Sequence, residues 1–165
     1  MTTQNVTAQD TTGPKTTPNT ILRPGPGALT TAQTLLRVVT GFLFAAHGWQ
    51  KYNEFTLAGT EAAFGQMGVP AANLAAPFVA TLELAGGIAL ILGLLARPVG
   101  AVLAAVMLGA IALVHAPAGV FVEAGGFELV LALGAGAATV ALLGAGRWSL
   151  DTVLFGRRGA LSKLA

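Results

Sequence analysis

Long stretches without a charged residue constrain the fold of this chain more than any other feature. The longest runs for 25 residues, from Pro98 to Val122, and others cover Val38 to Gln50, Leu84 to Ala96 and Leu129 to Gly146. Only 10% of the 165 residues are charged, against about 25% in an ordinary soluble domain. A helix needs about 20 apolar residues to cross the hydrocarbon core of a bilayer. The pattern therefore predicts an all-α membrane protein and argues against a water-soluble fold.

The apolar runs predict a four-helix transmembrane bundle. Its spans are estimated at residues 29–50, 72–95, 98–116 and 127–145, each long enough to cross about 30 Å of hydrocarbon. Only Ala96 and Arg97 separate the second and third spans, so these two must form a tight antiparallel hairpin. The connection between the first two spans predicts a short interfacial helix that includes Thr60, Glu61, Phe64 and Met67. After the fourth span, Ser149 predicts a capped short helix with Asp151 in its first turn.

Small residues in the spans predict where helices approach one another closely. Gly86, Gly87 and Gly93 serve this purpose in the second span. In the third span, Ala101, Ala105 and Gly109 share one face at four-residue spacing. We expect both sets to pack inside the bundle.

The ends of the chain differ in composition from the membrane domain, which we assign to residues 29–155. Residues 1–28 are rich in Thr, Pro, Gln and Asn and predict a disordered tail. Residues 156–165 form a short basic tail. If both termini are cytoplasmic, eight of the nine Lys and Arg residues lie inside and only Lys51 lies outside, as the positive-inside rule requires. Trp49 and Trp148 then fall at opposite membrane interfaces.

Composition also excludes several kinds of chemistry. The sequence contains no cysteine, which removes structural disulfides, Cys-ligated zinc and iron–sulfur clusters. Any redox role must therefore use a bound cofactor. The net charge of +2 is scattered along the chain and does not predict a nucleic-acid surface.

Ionisable residues inside the apolar spans carry the functional signal, because each costs about 2.5–3.5 kcal/mol at mid-bilayer on insertion scales. Arg37 in the first span and Glu83 in the second predict an ion pair that either fixes helix register or serves the function. The remaining groups lie toward the outer side: His47 and Lys51 on one helical face, and His115 and Glu128 at a similar depth. We expect all six to meet in one polar pocket. We assign proton-transfer chemistry to Glu83, His115 and Glu128, and ligand binding to Arg37, His47 and Lys51.

A quinone-like molecule is the ligand that such a pocket favours. Its carbonyl oxygens need a Lys or His donor, and its reduction needs protons that His and Glu can relay. A transition metal held by His47, His115 and Glu128 is a second interpretation. A haem held by the two histidines ranks lower, because such ligands usually lie deeper in a bundle. The identity of the cofactor stays open.

The chain resembles the DoxX family of small bacterial four-helix membrane proteins over about residues 34–151. In the first span the resemblance rests on Leu36, Arg37, Gly41, Phe44, His47, Gly48 and Lys51. In the second it rests on Glu83, Gly86, Gly87, Leu90 and Gly93, and further along on Arg97, His115, Glu128 and the closing stretch from Gly146 to Asp151. It implies a multi-pass protein of the inner membrane that is linked to oxidoreductase systems. Members resemble subunits of thiosulfate:quinone oxidoreductase, or a membrane component that joins a superoxide dismutase and a sulfurtransferase in handling oxidative and thiol stress.

Three functions remain open at this point. The first is a membrane subunit of an oxidoreductase or stress-response assembly that binds a quinone, with sulfur chemistry on a soluble redox partner. The second is a scaffold without chemistry, in which the polar residues pair across helices. The third is proton-coupled transport through Glu83, which four spans support only if the protein forms a homo-oligomer.

Overall fold

The computed structural model describes residues 25–156, and the secondary structure of this part of the chain consists of helices without strands. Its six α-helices are α1 Pro26–Asn53, α2 Leu57–Gln66, α3 Ala72–Leu92, α4 Ala96–Ala110, α5 Glu128–Leu143 and α6 Leu150–Phe155. The four predicted spans correspond to α1, α3, α4 and α5, and the predicted short helices correspond to α2 and α6. The predicted tails lie largely outside the described residues, but α1 already begins at Pro26, within the predicted N-terminal tail.

Three helices are long and apolar enough to cross a membrane: Pro26–Asn53, Ala72–Leu92 and the continuous stretch Ala96–Ala118. The last of these is α4 extended by a π-helical turn, Ile111–His115, and a 3₁₀ turn, Ala116–Ala118. Helix α5 is apolar but has only 16 residues, a length of about 24 Å at 1.5 Å per residue. The architecture is that of a multi-pass membrane protein.

The hairpin between α3 and α4 turns through residues 93–95, and not through Ala96 and Arg97 as the sequence predicts. Helix α3 ends at Gly93 and α4 is preceded by Leu95, and both residues are left-handed, with φ of 69° and 48°. Glycine adopts this conformation without steric cost, whereas leucine does not. As a result α4 begins at Ala96, two residues before the predicted start at Pro98.

The four apolar helices pack in a ring. Helix α1 lies mainly along α3, α4 lies mainly along α5, and the α1–α5 and α3–α4 contacts close the ring. The short helix α2 lies against α3. The core between the helices consists mostly of large apolar side chains, including Phe44, Leu90, Leu103, Leu133 and Val140.

Glycines set the separation of α1 and α3. A Cβ atom placed on Gly41 would lie 2.6 Å from the carbonyl oxygen of Gly87, so the two backbones are in direct contact. Gly48 lies in the same way against Leu84. By contrast, the predicted packing face of the third span is wrong: Ala101 and Ala105 are exposed, and a Cβ on Gly109 would meet nothing within 4 Å.

A pair of Gly→Ala substitutions should separate these two environments. Gly87→Ala forces a methyl group into Ala45 and the Gly41 carbonyl oxygen, and we expect it to lower the free energy of unfolding by about 1–3 kcal/mol. Gly109→Ala is the matched control: it fills open space and should be neutral or stabilise the helix by up to about 1 kcal/mol. Thermal unfolding in detergent micelles, followed by circular dichroism, measures both. Equal melting temperatures for the two variants would contradict this packing.

Candidate functional site

The buried carboxylate of Glu83 forms an ion pair with Lys51, and not with Arg37 as the sequence suggests. Glu83 lies on α3 and is 5% exposed, and its Oε2 atom is 2.5 Å from Lys51 Nζ in the last turn of α1. The register of the antiparallel helices α1 and α3 explains why Glu83 pairs with Lys51 and not with Arg37. Because Gly48 lies against Leu84, the next turn of α1 brings Lys51 level with Glu83. Arg37 lies about four turns before Lys51, beside the C-terminal end of α3.

A cavity of about 390 Å³ adjoins Lys51 at the junction of α1 and α2. Its lining residues are Lys51, Phe55, Gly59, Thr60, Ala63, Phe64 and Met67. We call this the α1–α2 cavity. Lys51 is the one lining residue with a charged side chain, and Thr60 Oγ1 is already bonded to the carbonyl oxygens of Thr56 and Lys51. The cavity is therefore an apolar space beside Lys51, whose ammonium group is bonded to Glu83.

His47 lies one helical turn before Lys51 but outside this cavity. It is half-buried and lines a separate, shallower groove with Ala46, Trp49, Gln50 and Glu54. Within residues 25–156 no hydrogen bond involves its imidazole, so both ring nitrogens are open to a ligand or to water.

Arg37, a predicted ligand-binding residue, is instead bonded to the backbone at three points. Its Nη1 atom donates to the carbonyl oxygens of Leu90 and Ile91, both at 3.0 Å, and Nη2 donates to that of Trp148 at 2.7 Å. The first two carbonyls belong to the last turn of α3, where backbone acceptors lack helical partners. A buried cation is favourable there because of the negative end of the helix dipole.

Asp151 provides the complementary contacts at the start of α4. Its two carboxylate oxygens accept from the amides of Leu95 and Ala96, at 2.7 and 2.9 Å, and its own amide donates to Gly93 O at 2.9 Å. Asp151 is 0% exposed. We call Arg37, Gly93, Trp148 and Asp151 the C-terminal clamp, because together they fasten the start of α6 to the hairpin between α3 and α4. The predicted cap is confirmed as well: Ser149 Oγ accepts from the amide of Thr152 at 3.3 Å.

His115 and Glu128 both organise the loop between α4 and α5. His115 Nδ1 donates to the carbonyl oxygen of Gly125 at 2.7 Å, and Glu128 Oε1 accepts from the amide of Val122 at 3.0 Å. Both side chains are therefore engaged by backbone groups of their own loop. The hydrogen-bond partners of both residues are thus local.

Hydrogen bonds and the ion pair thus divide the six predicted site residues among separate places. Lys51 and Glu83 are joined to each other, and His47 lines a separate groove. Arg37 belongs to the C-terminal clamp, and His115 and Glu128 belong to the loop. The single shared cluster expected from the sequence is not formed by direct contacts. Within residues 25–156, no group of three His, Asp or Glu side chains is arranged to hold a metal ion, so the proposed metal set of His47, His115 and Glu128 does not come together.

Sequence reasoning missed the apolar walls of the cavity. Phe55, Phe64 and Met67 gave no signal beyond the amphipathic pattern of a short helix, and their role depends on how α2 docks. It also treated Asp151 as a first-turn charge of α6. The sequence does single out Asp151, because it is the only acidic residue after Glu128.

Comparison with protein families gives one match. The DoxX family model matches residues 32–116, a range that runs from α1 to the end of the π-helical turn and includes Lys51, Glu83 and His115. The chain belongs to the DoxX family. The resemblance drawn from the spacing of polar and glycine residues is thereby confirmed. Glu128 and Asp151 lie beyond the matched range.

A curated relative links the DoxX family match to redox chemistry by name. Over 74 residues the chain is 38% identical to the "Putative oxidoreductase CatD" of Bacillus subtilis (strain 168). The alignment covers 45% of this chain and 52% of that protein, so the chain spans about half the length of this relative. No solved structure matches the chain.

Proposed function

We propose that this DoxX-family chain is the membrane subunit of an oxidoreductase or thiol-stress assembly, and that its α1–α2 cavity binds a quinone-like molecule. The observation that carries the proposal is that Lys51, whose ammonium group is paired with a buried carboxylate, lines an apolar cavity. The name of the Bacillus subtilis relative supports the general class of activity.

The cavity has the composition that a quinone headgroup requires. Ligand sites for small molecules are mostly apolar, with a few placed polar groups, and occupy about 300–1,000 Å³; this one has about 390 Å³. Phe55 and Phe64 supply flat surfaces for the ring, and Met67 supplies a deformable one. Lys51 would donate a hydrogen bond to a quinone carbonyl oxygen, which fixes the orientation of the ring.

The Lys51–Glu83 pair also suits proton transfer at that oxygen. A bound quinone would accept two electrons from the soluble redox partner, together with two protons. Lys51 would donate to the carbonyl oxygen, while Glu83 holds the ammonium group in position. His47, one turn away on the same helix, is the next group able to pass protons from the aqueous side. In this proposal Arg37, His115 and Glu128 serve the structure.

The proposed topology places four helices across the inner membrane, with both termini in the cytoplasm. Helix α5 then acts as the fourth span, at a length of about 24 Å that a locally thinned bilayer or flanking aromatic residues can accommodate. The distribution of eight of nine Lys and Arg residues to one side supports this orientation. Lys51 and the α1–α2 cavity then lie toward the outer leaflet.

Binding of decylubiquinone to the purified protein in lipid nanodiscs tests the proposal. Phe64→Ala removes one wall of the cavity, and we expect the dissociation constant to rise at least tenfold, because an aromatic wall contributes about 1.5–3 kcal/mol when fully used. Lys51→Met combined with Glu83→Leu should weaken binding at least as much, since the charge-assisted hydrogen bond is lost.

Phe42→Ala is the matched control for that experiment. Phe42 lies on α1 and is 62% exposed, so its removal should leave quinone affinity unchanged. Unchanged affinity in Phe64→Ala and in the double variant would contradict a quinone site in this cavity.

A scaffold without chemistry is the second candidate, and one observation favours it. Arg37, His115, Glu128 and Asp151 all bond to backbone groups, which is what residues kept for architecture do. This candidate predicts that the wild-type protein binds decylubiquinone no better than the Lys51→Met/Glu83→Leu variant, while pull-down of a soluble redox enzyme is the same for both.

A further inference from the structure

The loop between α4 and α5 carries large apolar side chains, although its backbone is not a continuous helix. We call residues 119–127 the α4–α5 loop. Val120, Phe121 and Val122 are 48%, 67% and 46% exposed. The charge-free run of the sequence continues through these three residues and ends at Glu123, the one charged residue of the loop. The loop thus has the composition of a membrane span.

Helix packing places this loop level with the last turns of the apolar stretch that contains α4. Helices α4 and α5 are antiparallel, and a Cβ added to Gly134 on α5 would lie 3.0 Å from the Cβ of Met107 on α4. Six residues closer to the loop on each helix, Leu113 is level with Glu128, the first residue of α5. The segment from Leu113 to Ala118 therefore extends about 8 Å beyond the start of α5, at 1.5 Å per residue. The α4–α5 loop covers this distance.

The offset supplies the length that α5 lacks as a membrane span. Helix α5 has 16 residues, about 24 Å, whereas the hydrocarbon core of a bilayer is about 30 Å thick. With the loop, the combined length is about 32 Å. At the other end the two helices are level, because Arg97 in the first turn of α4 donates from Nη1 to the carbonyl oxygen of Leu142 at 2.8 Å. The shortfall of α5 is therefore confined to the end that carries the loop.

The backbone of the α4–α5 loop is bonded to itself at both ends. The amides of Phe127 and Glu128 donate to the carbonyl oxygens of Gly119 and Val120, at 3.0 and 2.9 Å. The two ends approach so closely that a Cβ on Gly126 would lie 2.5 Å from the carbonyl carbon of Val120. Backbone groups near hydrocarbon need such internal partners, because water is scarce there.

Two side chains give the loop further partners of this kind. Glu128 Oε1 accepts from the amide of Val122 at 3.0 Å, and His115 Nδ1 donates to the carbonyl oxygen of Gly125 at 2.7 Å. In a loop surrounded by water, solvent satisfies such groups. Their satisfaction by ionisable side chains suits a layer that is poor in water.

We propose that the α4–α5 loop is embedded in the lipid bilayer, at the boundary between acyl chains and headgroups, and completes the fourth span. Residues 120–122 contact the acyl chains of phospholipids, and Glu123 reaches the headgroup layer. Glu128 and His115 replace water at the loop backbone. The proposal rests on the proposed four-span topology, and it removes the need for a thinner bilayer around α5.

Spin labels at single introduced cysteines measure the depth of the loop in the intact protein. The chain has no cysteine, so each variant carries one label. In phosphatidylcholine nanodiscs, power saturation compares collisions with oxygen, which concentrates in hydrocarbon, and collisions with a water-soluble nickel chelate. For Phe121→Cys we expect an oxygen-to-nickel ratio at least about threefold higher than for Glu123→Cys, the control on the aqueous side. Leu131→Cys, at an exposed position in the first turn of α5, is the lipid control and should resemble Phe121→Cys.

Variants of Glu128 test whether its carboxylate keeps the loop at that depth. Glu128→Leu leaves the Val122 amide without its acceptor, so we expect nickel collisions at the Phe121→Cys label to rise at least about twofold. Glu128→Gln retains an acceptor oxygen and should keep the ratio of the parent protein. Equal ratios for the two variants would overturn the role of this bond in holding the loop.

Three results would overturn the embedding of the loop. Nickel collisions as frequent at Phe121→Cys as at Glu123→Cys, with Leu131→Cys in lipid, would place the loop in water and leave the four-span topology intact. Few collisions with either reagent at Phe121→Cys would show that protein covers the loop. Frequent nickel collisions at Leu131→Cys would refute the topology itself. Decylubiquinone affinity should be unchanged in Phe121→Cys, so this proposal and the quinone site fail or succeed separately.

Discussion

Replacing Lys51 with methionine should lower the free energy of unfolding by about 3–5 kcal/mol, because it leaves the carboxylate of Glu83 buried without a counter-charge. Glu83→Leu should cost less, about 1–3 kcal/mol, since the side chain of Lys51 is 17% exposed and its ammonium group can reach water. The double variant Lys51→Met/Glu83→Leu should lie within about 1 kcal/mol of the wild type, as replacement of a whole buried pair often does. Denaturation in mixed micelles with increasing dodecyl sulfate measures all four proteins.

An exposed hydrogen-bonded pair at the C-terminal end of α1 supplies the control for these four proteins. Gln50 Nε2 donates to Glu54 Oε2 at 2.9 Å, four residues apart and open to solvent. Alanine at both positions should change stability by less than about 0.5 kcal/mol, with little coupling between them. If the Lys51 and Glu83 substitutions were additive instead of compensating, the buried pair would not contribute as the structure indicates.

The double variant also separates folding from chemistry. Because it removes both charges without leaving either one buried, it should remain folded in the membrane while losing the donor at the α1–α2 cavity. Loss of quinone binding in a stable double variant would therefore report on the ligand site itself. The single variants cannot do this, since instability alone would weaken binding.

The positions of the helices could be predicted from sequence because the bilayer imposes a simple rule. Backbone amides in hydrocarbon must be satisfied within a helix, and charged side chains are costly there. Each charge-free run therefore overlaps one of α1, α3, α4 and α5. The helix ends are less accurate: the turn at Gly93 and Leu95 is stabilised by Asp151, a residue more than fifty positions away.

The partners of the polar residues could not be predicted because they depend on register. Arg37, Lys51 and Glu83 all lie on helices that pack together, and either cation can be paired with the carboxylate when only span depth is known. Register is fixed by backbone contacts such as Gly41 against Gly87. The spacing of small residues alone does not specify which helical turns pack together, as the exposed Ala101 and Ala105 show.

The loop residues illustrate a second limit. His115 and Glu128 lie at the ends of two apolar helices, where insertion cost suggests a shared function. In the structure the loop between them has amides and carbonyls of its own to satisfy, including the amide of Val122 and the carbonyl oxygen of Gly125. The side chains nearest in sequence meet that need, and no pattern in the sequence distinguishes this from a ligand site.

The C-terminal clamp should show the other large effect on stability. Asp151→Ala removes both acceptors of the Leu95 and Ala96 amides, and we expect it to lower the free energy of unfolding by about 3 kcal/mol or more, because hydrogen bonds to a charged group contribute about 1.5–3 kcal/mol each. The site is fully buried, so water cannot readily replace the carboxylate. Asp151→Asn should recover part of the loss, since the amide oxygen can accept from one of the two amides.

Substitution of Arg37 tests the same C-terminal clamp through its contacts with α3 and Trp148. Arg37→Lys keeps the charge, but a single ammonium group cannot reach the last turn of α3 and Trp148 with the geometry of the guanidinium fork, so we expect a loss of about 2 kcal/mol. Because Arg37 and Asp151 hold the same segment, the double variant should lose less than the sum of the single losses.

Glu123→Ala, which removes an exposed carboxylate from the loop before α5, is the control and should change stability by less than about 0.5 kcal/mol. Unfolding in detergent, combined with limited proteolysis after α5, should show the C-terminal segment released in Asp151→Ala, and a variant as stable and as resistant to cleavage as Glu123→Ala would refute the clamp.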